Sequence, residues 1–209
     1  VLSCSQAKEP EAPSKNGYIF QGWYKDDTKW DFKNKITDNT TLTAKWEKEL
    51  SYISYSWDEN AQKLMRSDTK TTEPYTLLTD GSADTAWKTG WYVVEGTVNL
   101  PSRVTVTGNV RLILKDGCHL NAGNGGIQVE LGNSLTIYAQ SEGESTMGRL
   151  TGTATDNNCA GIGGGSKRGG SAGGDITIHG GRRDAKGARF GAGIGSGSPT
   201  GADGSTTLH

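Results

Sequence analysis

Short apolar strands return at a nearly fixed interval along the middle of this chain, and that interval constrains the fold more than any other feature. Val104 to Ile127 is 23 residues, Leu112 to Leu135 is 23, Ile127 to Leu150 is 23, and Val98 to Leu120 is 22. A unit of this length holding several short strands cannot bury its own apolar face, so successive units must stack. The interval therefore predicts a right-handed parallel β-helix over residues 51–209. Farther along, the period lengthens. Ala160-Gly161-Ile162-Gly163 returns 32 residues later as Ala192-Gly193-Ile194-Gly195, and Asp175-Ile176-Thr177-Ile178-His179 returns 30 later as Ser205-Thr206-Thr207-Leu208-His209. One inward apolar residue per short strand is expected there (Ile162, Ile178, Ile194, Leu208), with glycine allowing tight turns and close approach of coils.

The rest of the chain also reads as all-β. Runs such as Tyr92-Val93-Val94 and Leu135-Thr136-Ile137-Tyr138 are β-branched and aromatic, and turn formers such as Asp116-Gly117 and Gly132-Asn133 lie between them. No stretch sustains an apolar pattern at helical period, although Ala61 to Arg66 could form a single turn. Gly is 31 of 209 residues without a Gly-X-Y period, which excludes a collagen triple helix. With 22 basic and 23 acidic residues the net charge is -1, so the chain lacks the basic footprint of a nucleic-acid binder. No apolar run is long enough for a transmembrane helix.

A different module comes first. Gly17-Tyr18-Ile19-Phe20-Gln21-Gly22-Trp23-Tyr24 alternates, with Tyr18, Phe20 and Trp23 as core candidates. Trp30 and Phe32 follow two apart, then Ile36, and Thr41-Leu42-Thr43-Ala44-Lys45-Trp46 closes with Leu42, Ala44 and Trp46 on one face. So short a segment holds a core only through large aromatic side chains, which favours core over sugar-stacking roles for Trp23, Tyr24, Trp30 and Trp46. Together with Pro10, Pro13 and Asn39-Thr40, these residues resemble the internalin-type B-repeat, or Listeria–Bacteroides repeat. That resemblance implies a small β-grasp-like module of bacterial surface proteins, a spacer or receptor contact without enzymatic activity. The family's opening strand and turn have only Val1 to Glu9 in their place here, so the module is expected either to be incomplete or to carry an open sheet edge. The expected division is 1–9 tether, 10–48 B-repeat-like module and 51–209 β-helix. The Gly-rich stretch from about Tyr75 onward also resembles the glycine-rich β-helical repeats of bacterial surface proteins and, more loosely, pectate-lyase-like and carbohydrate-binding β-helices. Residues 51–74 read as a hairpin capping the helix, with Trp57-Asp58-Glu59-Asn60 near its turn.

Candidate chemistry is sparse. A β-helical polysaccharide lyase needs clustered carboxylates for calcium and a basic residue on one face. The material for this is Asp156, Asp175, Asp184, Arg182, Arg183, Lys186 and Arg189, but no two acids have the close alternate spacing of a calcium cluster, and Arg182 to Lys186 reads as a solvated loop. His119, His179 and His209 are single. His179 and His209 hold equivalent repeat positions and suit a stacked polar ladder better than a metal pair. Cys118 and Cys159 sit beside inward positions, as core residues or as a disulfide. Trp87, Trp91 and Tyr92 cluster before the first regular coil, either plugging the open end or stacking on a glycan. Val1-Leu2-Ser3-Cys4 resembles the end of a bacterial lipoprotein signal, which makes Cys4 a lipidation candidate.

These readings point to a fragment of a bacterial cell-surface or secreted adhesin or stalk, beginning without Met and stopping mid-repeat. No catalytic residue, metal site or cofactor is expected. The expected partner is a host or microbial surface protein or glycan, with no nucleic acid, and a membrane only through the Cys4 anchor. The alternatives are a carbohydrate-binding module and a β-helical polysaccharide lyase or hydrolase.

Overall fold

The computed structural model describes residues 5–80, 85–165, 172–197 and 205–209. All regular structure among them is β. The chain divides into two compact units: Val1–Leu50 with Lys70–Pro74, and Ser51–Thr69 with Tyr75–His209.

In the first unit, β1 (Ser5–Gln6) pairs antiparallel with β4 (Lys35–Ile36). Strand β2 (Tyr18–Lys25) lies between β3 (Thr28–Lys29) and β5 (Thr43–Lys48), both antiparallel to it. The hairpin from β2 to β3 turns on Asp26 at φ 54°. Phe20 and Trp23 are three apart, so in a regular strand they would face opposite ways. A register shift between Phe20 and Gly22 against β5 inserts one extra residue, with Gly22 at φ 123°. The bulge returns Trp23 to the side of Phe20: their rings meet edge to face at 5.5 Å, and Phe20 meets Trp46 at the same distance. Tyr18, expected in this core, is instead 40% exposed beneath the Lys15 ammonium, while Ile19 is the buried residue. Thr71, fully buried, belongs to this unit. Its amide donates to the Leu50 carbonyl at 2.9 Å, and the Leu50 amide donates to its hydroxyl at 3.0 Å.

The second unit opens with the hairpin β6 (Ser51–Asp58) and β7 (Lys63–Lys70). Its turn is closed by the Asp58 carboxylate, which accepts from the Asn60 and Ala61 amides. The helical turn expected at Ala61–Arg66 is therefore turn and strand. There follow β8 (Tyr75–Leu78), β9 (Ala86–Val94), β10 (Thr97–Asn99), β11 (Val104–Leu114), β12 (His119–Ala122), β13 (Ile127–Val129) and β14 (Ser134–Ala139). Then come β15 (Arg149–Thr153), β16 (Ile162–Gly163), β17 (Asp175–Ile178), β18 (Arg182–Lys186), β19 (Ile194–Gly195) and β20 (Thr206–Leu208).

Three parallel ladders organise these strands. One runs β8-β9-β11-β14-β17-β20. A second runs from the first part of β11 through β13 and β16 to β19. The third runs β10-β12-β15-β18. The large sheet is mixed, because β6 joins β14 and β7 antiparallel to the rest.

Registers refine the expected spacings. Val104 faces Ile127 and Val98 faces Leu120, as their intervals predict, and Ile162 faces Ile194. Leu112, however, faces Ile137, and Leu135 faces Val110, a spacing of 25. The corner between Val129 and Leu135 is two residues longer than the one between Val106 and Val110, and a two-residue change leaves every side chain on its original face. Leu150 pairs with Leu120 in another ladder, not with Ile127.

Inward residues of the ladders form one core that includes Tyr92, Leu112, Leu120, Ile127, Ile137, Leu150, Ile162 and Ile178, most of them fully buried. Ile194 packs partly against it, whereas Leu208, on a ladder strand paired on one side among the described residues, is 59% exposed. Apolar runs of three have a second cause. Val93 and Ile113 point away from this core and are still fully buried, and on the same outer face Tyr52 of β6 packs against Trp91 and Tyr138. Strands covered on both faces read as continuous apolar runs. The hairpin β6–β7 therefore joins the side of a ladder, through Ile53 and Ala139, and does not cap the end.

Candidate functional site

The Trp87, Trp91 and Tyr92 cluster is divided by the pleat of β9. Trp87 and Tyr92 point inward, 0% and 7% exposed, with rings stacked at 5.3 Å and the Lys88 amide donating to the Tyr92 hydroxyl. Trp91 points outward and is also buried, against Tyr52 (5.1 Å) and Tyr138 (5.6 Å), with the Arg111 guanidinium over its ring. None of the three offers an open ring face to a sugar. Cys4 lies outside the described residues.

A more organised group sits on the outer face of the first ladder. Val93, Ile113 and Tyr138 are in register across β9, β11 and β14. His179 and His209, which follow β17 and β20, continue the column. Tyr138 stacks on His179 at 4.9 Å and 12°, and His179 on His209 at 4.9 Å and 7°. The 30-residue return of His in the sequence is thus realised as direct ring stacking.

The hairpin strand β6 lies along this column. Its Tyr55 amide donates to His179 Nδ1 at 3.0 Å, and its Tyr55 ring stands 6.5 Å from His179 and 6.3 Å from His209. The Tyr55 hydroxyl bonds the Glu142 carboxylate, which also receives Arg66 of β7 at 3.3 Å. Hydrogen bonding to Glu142 raises the Tyr55 hydroxyl pKa, and burial does the same for Tyr138. Burial, followed by the neighbouring His209, lowers His179 to about 4. A cleft of about 270 Å³ opens here, lined by Tyr55, Glu142, His179, Arg183 and His209 among others.

Two of the three dispersed acids, Asp175 and Asp184, make structural contacts. Asp175 accepts from the Ser205 amide and hydroxyl, which hold its carboxyl below the ordinary value. Asp184 pairs with Arg149 at 3.1 Å. Arg182–Lys186, read from composition as a loop, is strand β18, because lateral pairing to β15 supplies what its polar side chains do not. Among the described residues no group of three or more His, Cys, Asp or Glu could hold a metal. Cys118 and Cys159 are both buried and no disulfide joins them, so the core reading applies. Tyr52, Tyr55, Tyr138, Glu142 and Arg66 carried no local signal of this association. Only the matched spacing of His179 and His209 marked the column.

No helix among the described residues is long and apolar enough to cross a membrane. Two proteins of Evansella cellulosilytica, both provisionally named, resemble parts of the chain. One, named a membrane protein, is 30% identical over 164 residues, which cover 69% of this chain and 24% of that protein. The other, named a Gly-rich membrane protein, is 38% identical over 58 residues, 26% of this chain and 7% of that protein. The chain thus spans about a quarter or less of the length of these relatives. No solved structure matches it significantly. Residues 1–45 match the Listeria-Bacteroides repeat domain, the repeat of bacterial surface proteins that Gly17 to Trp46 resembles.

Proposed function

We propose that this chain is part of a bacterial cell-surface protein in which a B-repeat precedes a right-handed parallel β-helix, together serving display and adhesion without catalysis. The observation that carries the reading is the repeat at residues 1–45 followed by three stacked parallel ladders. Strands that pair in parallel with partners 16 to 41 residues on, through corners of variable length, are what successive coils of one solenoid require. Such a body grows by adding coils and holds whatever its corners carry at a set distance. The names of the Evansella relatives favour a membrane-associated location, and acylation at Cys4 would supply the attachment.

A non-catalytic role is supported by two of the three candidate acids, since Asp175 and Asp184 are engaged in structural contacts. The partner class is a surface protein or glycan. In a test, antibody against the chain, or deletion of its gene, should lower attachment of the producing bacterium to glycan- or protein-coated surfaces. The purified chain should release no product from acidic polysaccharides with or without calcium. Depolymerisation by the purified chain, abolished by substituting one acidic residue, would replace the adhesin reading with the lyase reading.

A further inference from the structure

The tie between the hairpin and the histidine column is sensitive to a single proton. A backbone amide can only donate, so the Tyr55 N–H bonded to His179 Nδ1 fixes that nitrogen as an unprotonated acceptor. Adding a proton to the ring places N–H against N–H at this contact. We propose that His179 is an acid-sensitive latch, holding the distal half of the β6–β7 hairpin on the ladder while neutral and releasing it when protonated.

Position along the hairpin is what makes this contact decisive. Near its base, Tyr52 and Ile53 are buried and Gln140 Nε2 donates to the Ser51 carbonyl, so that end is held by packing. Beyond Tyr55, Trp57 is 53% exposed and Leu64 and Met65 are exposed on β7. The distal ties are therefore the Tyr55 amide on His179, the Tyr55 hydroxyl on Glu142, and Arg66 on Glu142.

The groups around His179 oppose its protonation over most of the pH range. Tyr138 stacks on one face and His209 on the other, Tyr55 lies across the edge, and Arg183 lines the same cleft; among the described residues that line it Glu142 is the acidic side chain, already engaged by Tyr55 and Arg66. Burial and His209 hold the ring at about 4, so the latch is closed at neutral pH and opens only in acid. The stacked His209 adds to the cost of charging His179. The exchange is one proton taken from solvent and one hydrogen bond broken.

NMR of the whole chain from pH 7 to pH 3 tests the latch without any substitution. The Tyr55 amide shift should follow the His179 ring with one midpoint near pH 4, and amide-exchange protection from Tyr55 to Arg66, corrected for intrinsic rates, should fall at least tenfold. His179→Gln presents a carboxamide oxygen at every pH and should keep the hairpin held at pH 3.5. Glu142→Gln, which removes the carboxylate that holds Tyr55 and Arg66, should leave the midpoint unchanged. A Tyr55 amide indifferent to His179 titration would overturn the proposal, as would release moving with Glu142→Gln.

Discussion

Gly163 stands opposite Gly195 where two strands of one ladder pair in parallel. It has φ 135°, and a Cβ there would fall within contact distance of the Gly195 carbonyl oxygen on the next strand. Gly163→Ala must both strain the backbone and separate the strands, so we expect a loss of about 1–3 kcal/mol in urea unfolding. Glycine at this place was readable from the Ala-Gly-Ile-Gly repeat, because two copies 32 residues apart align in register. The Cys118 thiol makes a different point. Burial pushes its pKa up to about 11, so alkylation of the native protein at pH 8 should spare Cys118 and proceed after unfolding. His179 contributes a pH dependence whose sign is fixed. Its folded pKa, about 4, lies below the ordinary 6.5, so the unfolded chain takes up the proton first as pH falls. Stability should decline from about pH 6.5 to about pH 4, by at most about 1.4 kcal/mol per unit from this group, and His179→Gln should remove that slope.

Elements show where alternation was enough and where it was not. In β14, Leu135, Ile137 and Ala139 are buried and Thr136 and Tyr138 half-buried, as period two requires. In β2 the pattern breaks at Gly22, and no local rule announces that a bulge realigns Trp23 with Phe20. The triplets Tyr92-Val93-Val94 and Leu112-Ile113-Leu114 contained a further message, that both sheet faces are covered, but not the identity of the cover. Part of that cover is Tyr52 of β6, whose ring meets Trp91 and Tyr138 on the outer face, and the next residue, Ile53, is buried as well. Ile53→Ala should cost about 2–4 kcal/mol while leaving the parallel ladders intact, measurable as lowered thermal stability with an unchanged far-ultraviolet spectrum. The candidate site was equally hidden. Its histidines are spaced by the repeat, but Tyr55 and Glu142 meet across 87 positions.

At the scale of the whole molecule, the ladders keep register while the interval between paired residues varies from 16 at Tyr75–Trp91 to 41 at Leu135–Ile176 and is 30 at Ile176–Thr206. Short strands set the stack, and corners absorb length, which is why one fixed period could not describe the chain. Relatives much longer than this chain resemble it in part, consistent with a body to which coils are added. Surface location joins the B-repeat, the ladders and the adhesive role into one proposal, and it is open to direct measurement. Intact cells of the producing bacterium should bind antibody raised against residues 51–209, and external protease should remove that signal without lysis. Labelling that appears only after the envelope is broken would contradict it.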